Sequence, residues 1–254
     1  MLFRSYSIDP CVFKDDDGSV YCYFGGIWGG QLQWYKNNKA LKCEYLPEGK
    51  ENPLPSRVAK MTDDVLQFAE DSKPVLVVDE NGKPLTADDP HRFFEASWMH
   101  KYNGKYYFSY STGDTHYLCY AVGDNPYGPF TYKGVILEPV VGWTTHHSIA
   151  EFKGQWYLFH HDCVPSKDTT WLRSLKVIPL SYDEDGNIGT AQLVFVYKTG
   201  FKNSLDGNRF KPERKNARGN RKSKDLCSHA NDENQSLYSD TNTDTHRVCR
   251  IADT

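Results

Sequence analysis

Two carboxylates stand out by the company they keep. Asp9 lies in SIDPCVF, directly before a proline and a strand-like run. A residue before proline is pushed toward extended backbone, so Asp9 is expected at the start of a strand. Glu95 lies in HRFFEASWMH, beside Phe94 and close to Trp98. A carboxyl among aromatic rings is poorly solvated, which raises its pKa and suits a general acid. The bland alternatives are a turn cap for Asp9 and a surface pair with Arg92 for Glu95. Histidines form two adjacent pairs, His146-His147 in WTTHHSIAE and His160-His161 in FHHD. Neighbours on a strand face opposite ways, so one of His146 and His147 can point inward. Such neighbours chelate a single ion poorly. One histidine ligand with water completing the shell fits better than a zinc site.

Other chemistry is excluded by spacing. The chain has no GxSxG elbow, no Walker loop and no GxGxxG turn. DDDG at 15–18 does not fit an EF-hand: counting back from Gly18, the first ligand would be Phe13, which has no oxygen to offer.

Three segments must position these residues: CVFKDDDGSVYCYF (11–24), SWMHKYNGKYYFSY (97–110) and SIAEFKGQWYLFHH (148–161). Each reads as a short apolar strand, a polar tip with glycine, and a strand rich in aromatic residues. Gly18, Gly104 and Gly154 are equivalent, as are Tyr21, Tyr107 and Tyr157. A glycine tip between β-rich runs is a strong hairpin signal, because glycine accepts positive φ. A repeated sheet of propeller type and a β-sandwich both accommodate this pattern. Helix signals are sparse; MTDDVLQFAED (61–71) predicts a short helix with Thr62 as its N-cap.

Composition agrees with an all-β reading. Aromatic residues reach 14%, a share that suits pleated sheets and sugar-binding surfaces alike. A net charge of −3 gives no general pull toward nucleic acid or membrane. The 7 cysteines form no CxxC pair, which excludes a zinc ribbon and, read as reduced thiols, favours the cytoplasm. MLFRSYSIDP lacks the apolar run and cleavage site of a signal peptide, and no apolar stretch approaches the ~20 residues of a membrane span. An extracellular setting is compatible with a true N-terminus lying upstream. From about residue 200 large apolar residues thin out, so 201–254 is expected to be a polar, disordered tail. Its basic run at 211–224 carries no interleaved aromatics, which argues against a nucleic-acid surface.

Taken together, IDPCVFKDDDG, FFEASWMHKYNGKYYFSYS, NPYGPF, HHSIAEFKGQWYLF and LRSLKV resemble glycoside hydrolase family 43, from about residue 7 to 188. The resemblance implies an all-β, five-bladed β-propeller and an inverting glycosidase of β-xylosidase or α-L-arabinofuranosidase type. Such an enzyme acts on O-glycosidic bonds of pentose-containing plant polysaccharides, arabinoxylan and xylan. It implies Glu95 as general acid, Asp9 as the residue that orients it and modulates its pKa, and Arg173 as a contact to sugar hydroxyls. It also implies His146 as an axial histidine helping to hold a calcium or similar ion, with no organic cofactor. Trp28, Phe94 and Trp98 are assigned as aromatic walls because rings stack on sugar faces; they are not strict family positions.

The family pattern places Asp9 in the third blade. Residues 1–200 are therefore expected to hold blades three to five of a partial propeller domain, an N-terminally truncated member. The family's general base belongs to the first blade, and no Asp precedes Asp9 here. The partner expected is a carbohydrate, with neither nucleic acid nor membrane. The alternative is an inactive or sugar-binding fragment, and little hydrolysis is expected from this chain alone.

Overall fold

The computed structural model describes residues 8–191; the expected tail, 201–254, lies outside the described residues. In chain order the strands are β1 (Cys11–Lys14), β2 (Val20–Phe24), β3 (Tyr35–Lys36), β4 (Lys39–Ala40), β5 (Ser56–Lys60), β6 (Lys73–Val75) and β7 (Val77–Val78). There follow β8 (Phe93–Tyr102), β9 (Lys105–Thr112), β10 (Leu118–Gly123), β11 (Phe130–Leu137), β12 (His147–Phe152), β13 (Gln155–Asp162) and β14 (Ser174–Leu180). They form three main sheets, ordered β1-β2-β5-β6, β7-β11-β10-β9-β8 and β12-β13-β14, with β3-β4 as a small separate ribbon.

Each main sheet is built on one of the three repeated hairpins. Cys11 pairs with Tyr23, Met99 with Phe108 and Ile149 with Leu158, all antiparallel. The tips turn at Gly18, Gly104 and Gly154, with φ of 85°, 75° and 79°, where a side chain would be strained. The DDDG tip is tied to the neighbouring sheet. Lys101 Nζ lies 2.8 Å from both Asp15 and Asp16, and the Tyr106 hydroxyl donates to Asp15 at 2.6 Å.

The middle sheet is buried on both faces, and the period of two along β9 explains how. Tyr106, Phe108 and Tyr110 enter the core shared with Cys11, Tyr23 and Val58 of the first sheet. Tyr107 enters the core shared with Ile149, Leu158 and Leu180 of the third. On that second face Ser109 and Ser111 reach the third sheet by hydrogen bonds, Ser109 Oγ to His147 Nε2 at 2.7 Å and Ser111 Oγ to the Thr145 carbonyl at 2.6 Å. Between the first two sheets the buried Ser56 and Ser97 hydroxyls meet at 2.7 Å. Polar groups at these seams are thus satisfied by one another, which fixes how the sheets face.

The helix predicted over 61–71 does not form. Met61 and Phe68 make an antiparallel bridge, Val65 adopts φ 60°, and Phe68 stacks on Phe24 of β2. The Thr62 hydroxyl bonds to Asp64 and the Gln67 carbonyl, stabilising a turn instead of a first helical turn. Among the described residues no helix is long and apolar enough to cross a membrane.

Candidate active site

The candidate residues come from the entry ends of all three sheets. Asp9 stands two residues before β1, Glu95 lies in β8, His146 directly precedes β12 and Arg173 directly precedes β14. Asp9 is not extended as its proline neighbour predicted: its φ is 52°. Aspartate tolerates this region better than most residues, and its side chain is held there by two partners. Asp9 Oδ2 accepts the Ala96 N–H at 3.1 Å, and Oδ1 faces His146 Nδ1 at 3.6 Å, an ionic contact longer than a hydrogen bond.

Glu95 sits on a bulge. It pairs with Ser111 and Trp98 pairs with Ser109, so β8 holds one residue more than β9 between those pairs. Ala96 takes up the excess with φ 62°. This turns Glu95 toward Thr144, whose hydroxyl donates to Glu95 Oε1. Gly26 packs so closely that a Cβ there would lie 3.0 Å from that of Glu95, and the Ile27 N–H donates to the Phe94 carbonyl at 3.1 Å. The segment after β2 therefore braces the strand that carries Glu95.

The two carboxyls are driven apart in proton affinity. For Glu95, burial raises the pKa; the Thr144 hydroxyl opposes this, the negative charge of Asp9 adds to it, and His146 and Arg173 offset part. The result lies above the ordinary value. For Asp9, burial also pushes upward but is outweighed by His146, the Ala96 N–H and Arg173, leaving it below the ordinary value. Glu95 thus holds a proton more tightly than an ordinary glutamate, and Asp9 less tightly than an ordinary aspartate. Arg92 takes no part, since its Nε donates to the Ala87 carbonyl at 2.7 Å.

The histidine pair divides as strand geometry requires. His146 is 38% exposed and faces Asp9, whereas His147 is buried against Ser109. Of the aromatic walls, Trp28 and Phe94 come together: Trp28 is exposed, and the rings meet edge to face at 6.1 Å beside Glu95. Trp98 has a structural part: its partly buried ring packs against the cores on both sides of the middle sheet and its indole N–H donates to the Ile149 carbonyl at 3.2 Å.

Two residues escape the sequence reading. Thr144 carries a weak signal, a hydroxyl two residues before the inward histidine. His161 belongs to the FHHD run, but its partners, the His146 N–H and Arg173, are not visible from spacing.

Calcium takes about six to eight oxygen ligands. Among the described residues no group of three or more His, Cys, Asp or Glu is placed to hold a metal. His146 Nδ1 faces one carboxylate, that of Asp9. The arrangement expected for His146, one histidine ligand with water completing the shell, needs no such group, and the half-exposed His146 ring beside Asp9 is compatible with it.

A carboxyl with a raised pKa, a carboxyl with a lowered one, an arginine and an exposed aromatic corner thus lie at the entry ends of the sheets. The chain belongs to glycosyl hydrolases family 43, whose model matches residues 1–188. Its three sheets are blades of that family's five-bladed β-propeller. A β-xylosidase of Xylanibacter ruminicola is 82% identical over 188 residues, 74% of this chain and 59% of that protein. The solved RS223 β-xylosidase is 68% identical with a TM-score of 0.72, over 73% of this chain and 58% of that one. A β-xylosidase/α-arabinofuranosidase from a compost metagenome, described as a calcium-free form in complex with xylotriose, is 58% identical with a TM-score of 0.70, over 73% and 58%. The chain thus spans somewhat under three fifths of the length of these relatives.

Proposed function

We propose that this chain carries the acid side of an inverting glycosidase site for xylose- or arabinose-containing oligosaccharides. The observation that carries the proposal is the opposite displacement of the Glu95 and Asp9 pKa values within one site. In this reading Glu95 gives its proton to the leaving glycosidic oxygen as the anomeric C–O bond breaks, and water adds from the opposite face. The glutamate anion so formed is met by the Thr144 hydroxyl and by the charges of His146 and Arg173. Asp9 stays ionised, keeps the proton on Glu95 before the reaction, and holds β8 through the Ala96 N–H. Arg173 binds sugar hydroxyls, and Trp28 with Phe94 offers a face for a pentose ring. The names of the relatives, and xylotriose in one of them, support the substrate class.

A second reading, sugar binding without efficient turnover, is favoured by one observation. Among the described residues, the carboxylate acting on Glu95 is Asp9, which the site uses as a modulator and not as a base. Loss of a general base typically removes a factor of ~10²–10⁴.

The purified 254-residue chain tests both readings when titrated with xylotriose and assayed on aryl β-xyloside and aryl α-arabinofuranoside. Saturable binding of xylotriose that Arg173→Ala weakens is the expected result, with hydrolysis reduced by the factor above. Absence of binding would refute the proposal; turnover at the rate of a complete glycosidase would remove the second reading.

A further inference from the structure

Arg173 and the backbone of His146 meet on one nitrogen. His161 Nε2 lies 3.0 Å from the His146 N and 3.3 Å from Arg173 Nη1. A main-chain N–H and a guanidinium can only donate. His161 Nε2 must therefore be an unprotonated acceptor, with the ring proton on Nδ1. We propose that His161 is a positioning residue for sugar recognition, its Nε2 lone pair holding the Arg173 guanidinium and the strand entrance at His146 in one fixed arrangement. This rests on the reading of Arg173 as a contact to sugar hydroxyls.

Two further observations agree. The Thr145 hydroxyl donates to the His161 carbonyl at 2.8 Å and accepts the His161 N–H at 3.1 Å, so the end of β13 and the entrance of β12 are clasped on both sides of the ring. Arg173 Nε donates to the Thr170 carbonyl at 3.1 Å, so the guanidinium is held at Nε by backbone and at Nη1 by the ring. The plane of the guanidinium is then held in a single orientation, as directional recognition of hydroxyls requires.

The test uses the full chain labelled with ¹⁵N-histidine, together with His161→Gln and His161→Leu. Glutamine places an amide oxygen near the position of Nε2 and keeps an acceptor; leucine removes it. Long-range proton–nitrogen spectra at neutral pH are expected to show His161 with a bare Nε2 and a protonated Nδ1. The Arg173 Nε–H signal is expected to remain slowly exchanging in wild type and His161→Gln, and to be lost in His161→Leu. Xylotriose affinity is expected to hold within about threefold in His161→Gln and to fall at least about tenfold in His161→Leu, the size of one hydrogen bond to a charged group. A protonated Nε2, or equal behaviour of the two variants, would overturn the proposal. Were wild type to bind no xylotriose, the reading of Arg173 would fall, while the tautomer and the Arg173 signal would still decide the role of His161.

Discussion

The Asp9 carboxylate accepts a hydrogen bond from the amide of Ala96, the residue that follows Glu95, and both Asp9 and Ala96 hold positive φ. Each such residue costs roughly 1–3 kcal/mol unless its surroundings over-determine it. Here one bond ties the two together and aims the acid. Asp9→Ala leaves the buried Ala96 N–H without its partner and should destabilise the fold by about 1–3 kcal/mol. Asp9→Asn keeps an acceptor and should lose clearly less. Urea unfolding of the two variants measures the difference; equal losses would deny the bond its structural role.

Gly26 lets two chain segments approach. A Cβ there would lie 2.7 Å from Ile8 Cδ1 and 3.0 Å from Glu95 Cβ. Gly26→Ala is expected to destabilise the chain by about 1–3 kcal/mol through overpacking and to shift Glu95 away from Thr144. An unfolding midpoint unchanged from wild type would show that the neighbours yield freely.

The aromatic assignments separate by experiment. Trp28→Ala and Phe94→Ala should each weaken xylotriose binding about tenfold, because they remove the exposed corner beside Glu95. Trp98→Phe should leave affinity unchanged and cost about 1 kcal/mol of stability, through loss of the bond to Ile149. Calorimetric titration and unfolding read the two effects independently.

Acid should destabilise the fold through its buried histidines. Burial lowers the His100 pKa to about 3, and that of His147 is lowered by burial and by the other histidines near it. Both lie below the unfolded value of about 6.5, so the unfolded chain binds more protons as pH falls. The stability they contribute is complete above pH ~6.5 and is lost as pH falls, for His100 progressively toward pH ~3 at about 1.4 kcal/mol per pH unit. His100→Phe should flatten the slope of unfolding free energy between pH ~6 and ~4.5 by that amount. An unchanged slope would mean that His100 titrates normally.

The hairpins could be read from sequence because their signals are local: a glycine tip, alternation along the strands, and Tyr21, Tyr107 and Tyr157 at equivalent places. Asp9, Glu95, Arg173 and His146 were named through motif resemblance, and the structure brings the four close enough to act on one another's charge. What was hidden depends on contacts between sheets. Thr144 reaches Glu95 across 49 residues, and His161 acts on Arg173 through a nitrogen whose proton state only the packed arrangement dictates. The bond from Trp98 to the Ile149 carbonyl, across 51 residues, is likewise a contact between sheets. The 61–71 segment carries a good N-cap, yet Phe68 gains more from stacking on Phe24 than a short helix would return.

The central claim is that Asp9 and Glu95 share one site with their proton affinities displaced in opposite directions. Carboxyl ¹³C titration of the full chain, in wild type and Asp9→Asn, tests it most directly. The account predicts Glu95 titrating above the ordinary glutamate value, Asp9 below the ordinary aspartate value, and a fall of the Glu95 value when the charge of Asp9 is removed. A Glu95 that titrates at or below its ordinary value, or that ignores Asp9→Asn, would contradict it.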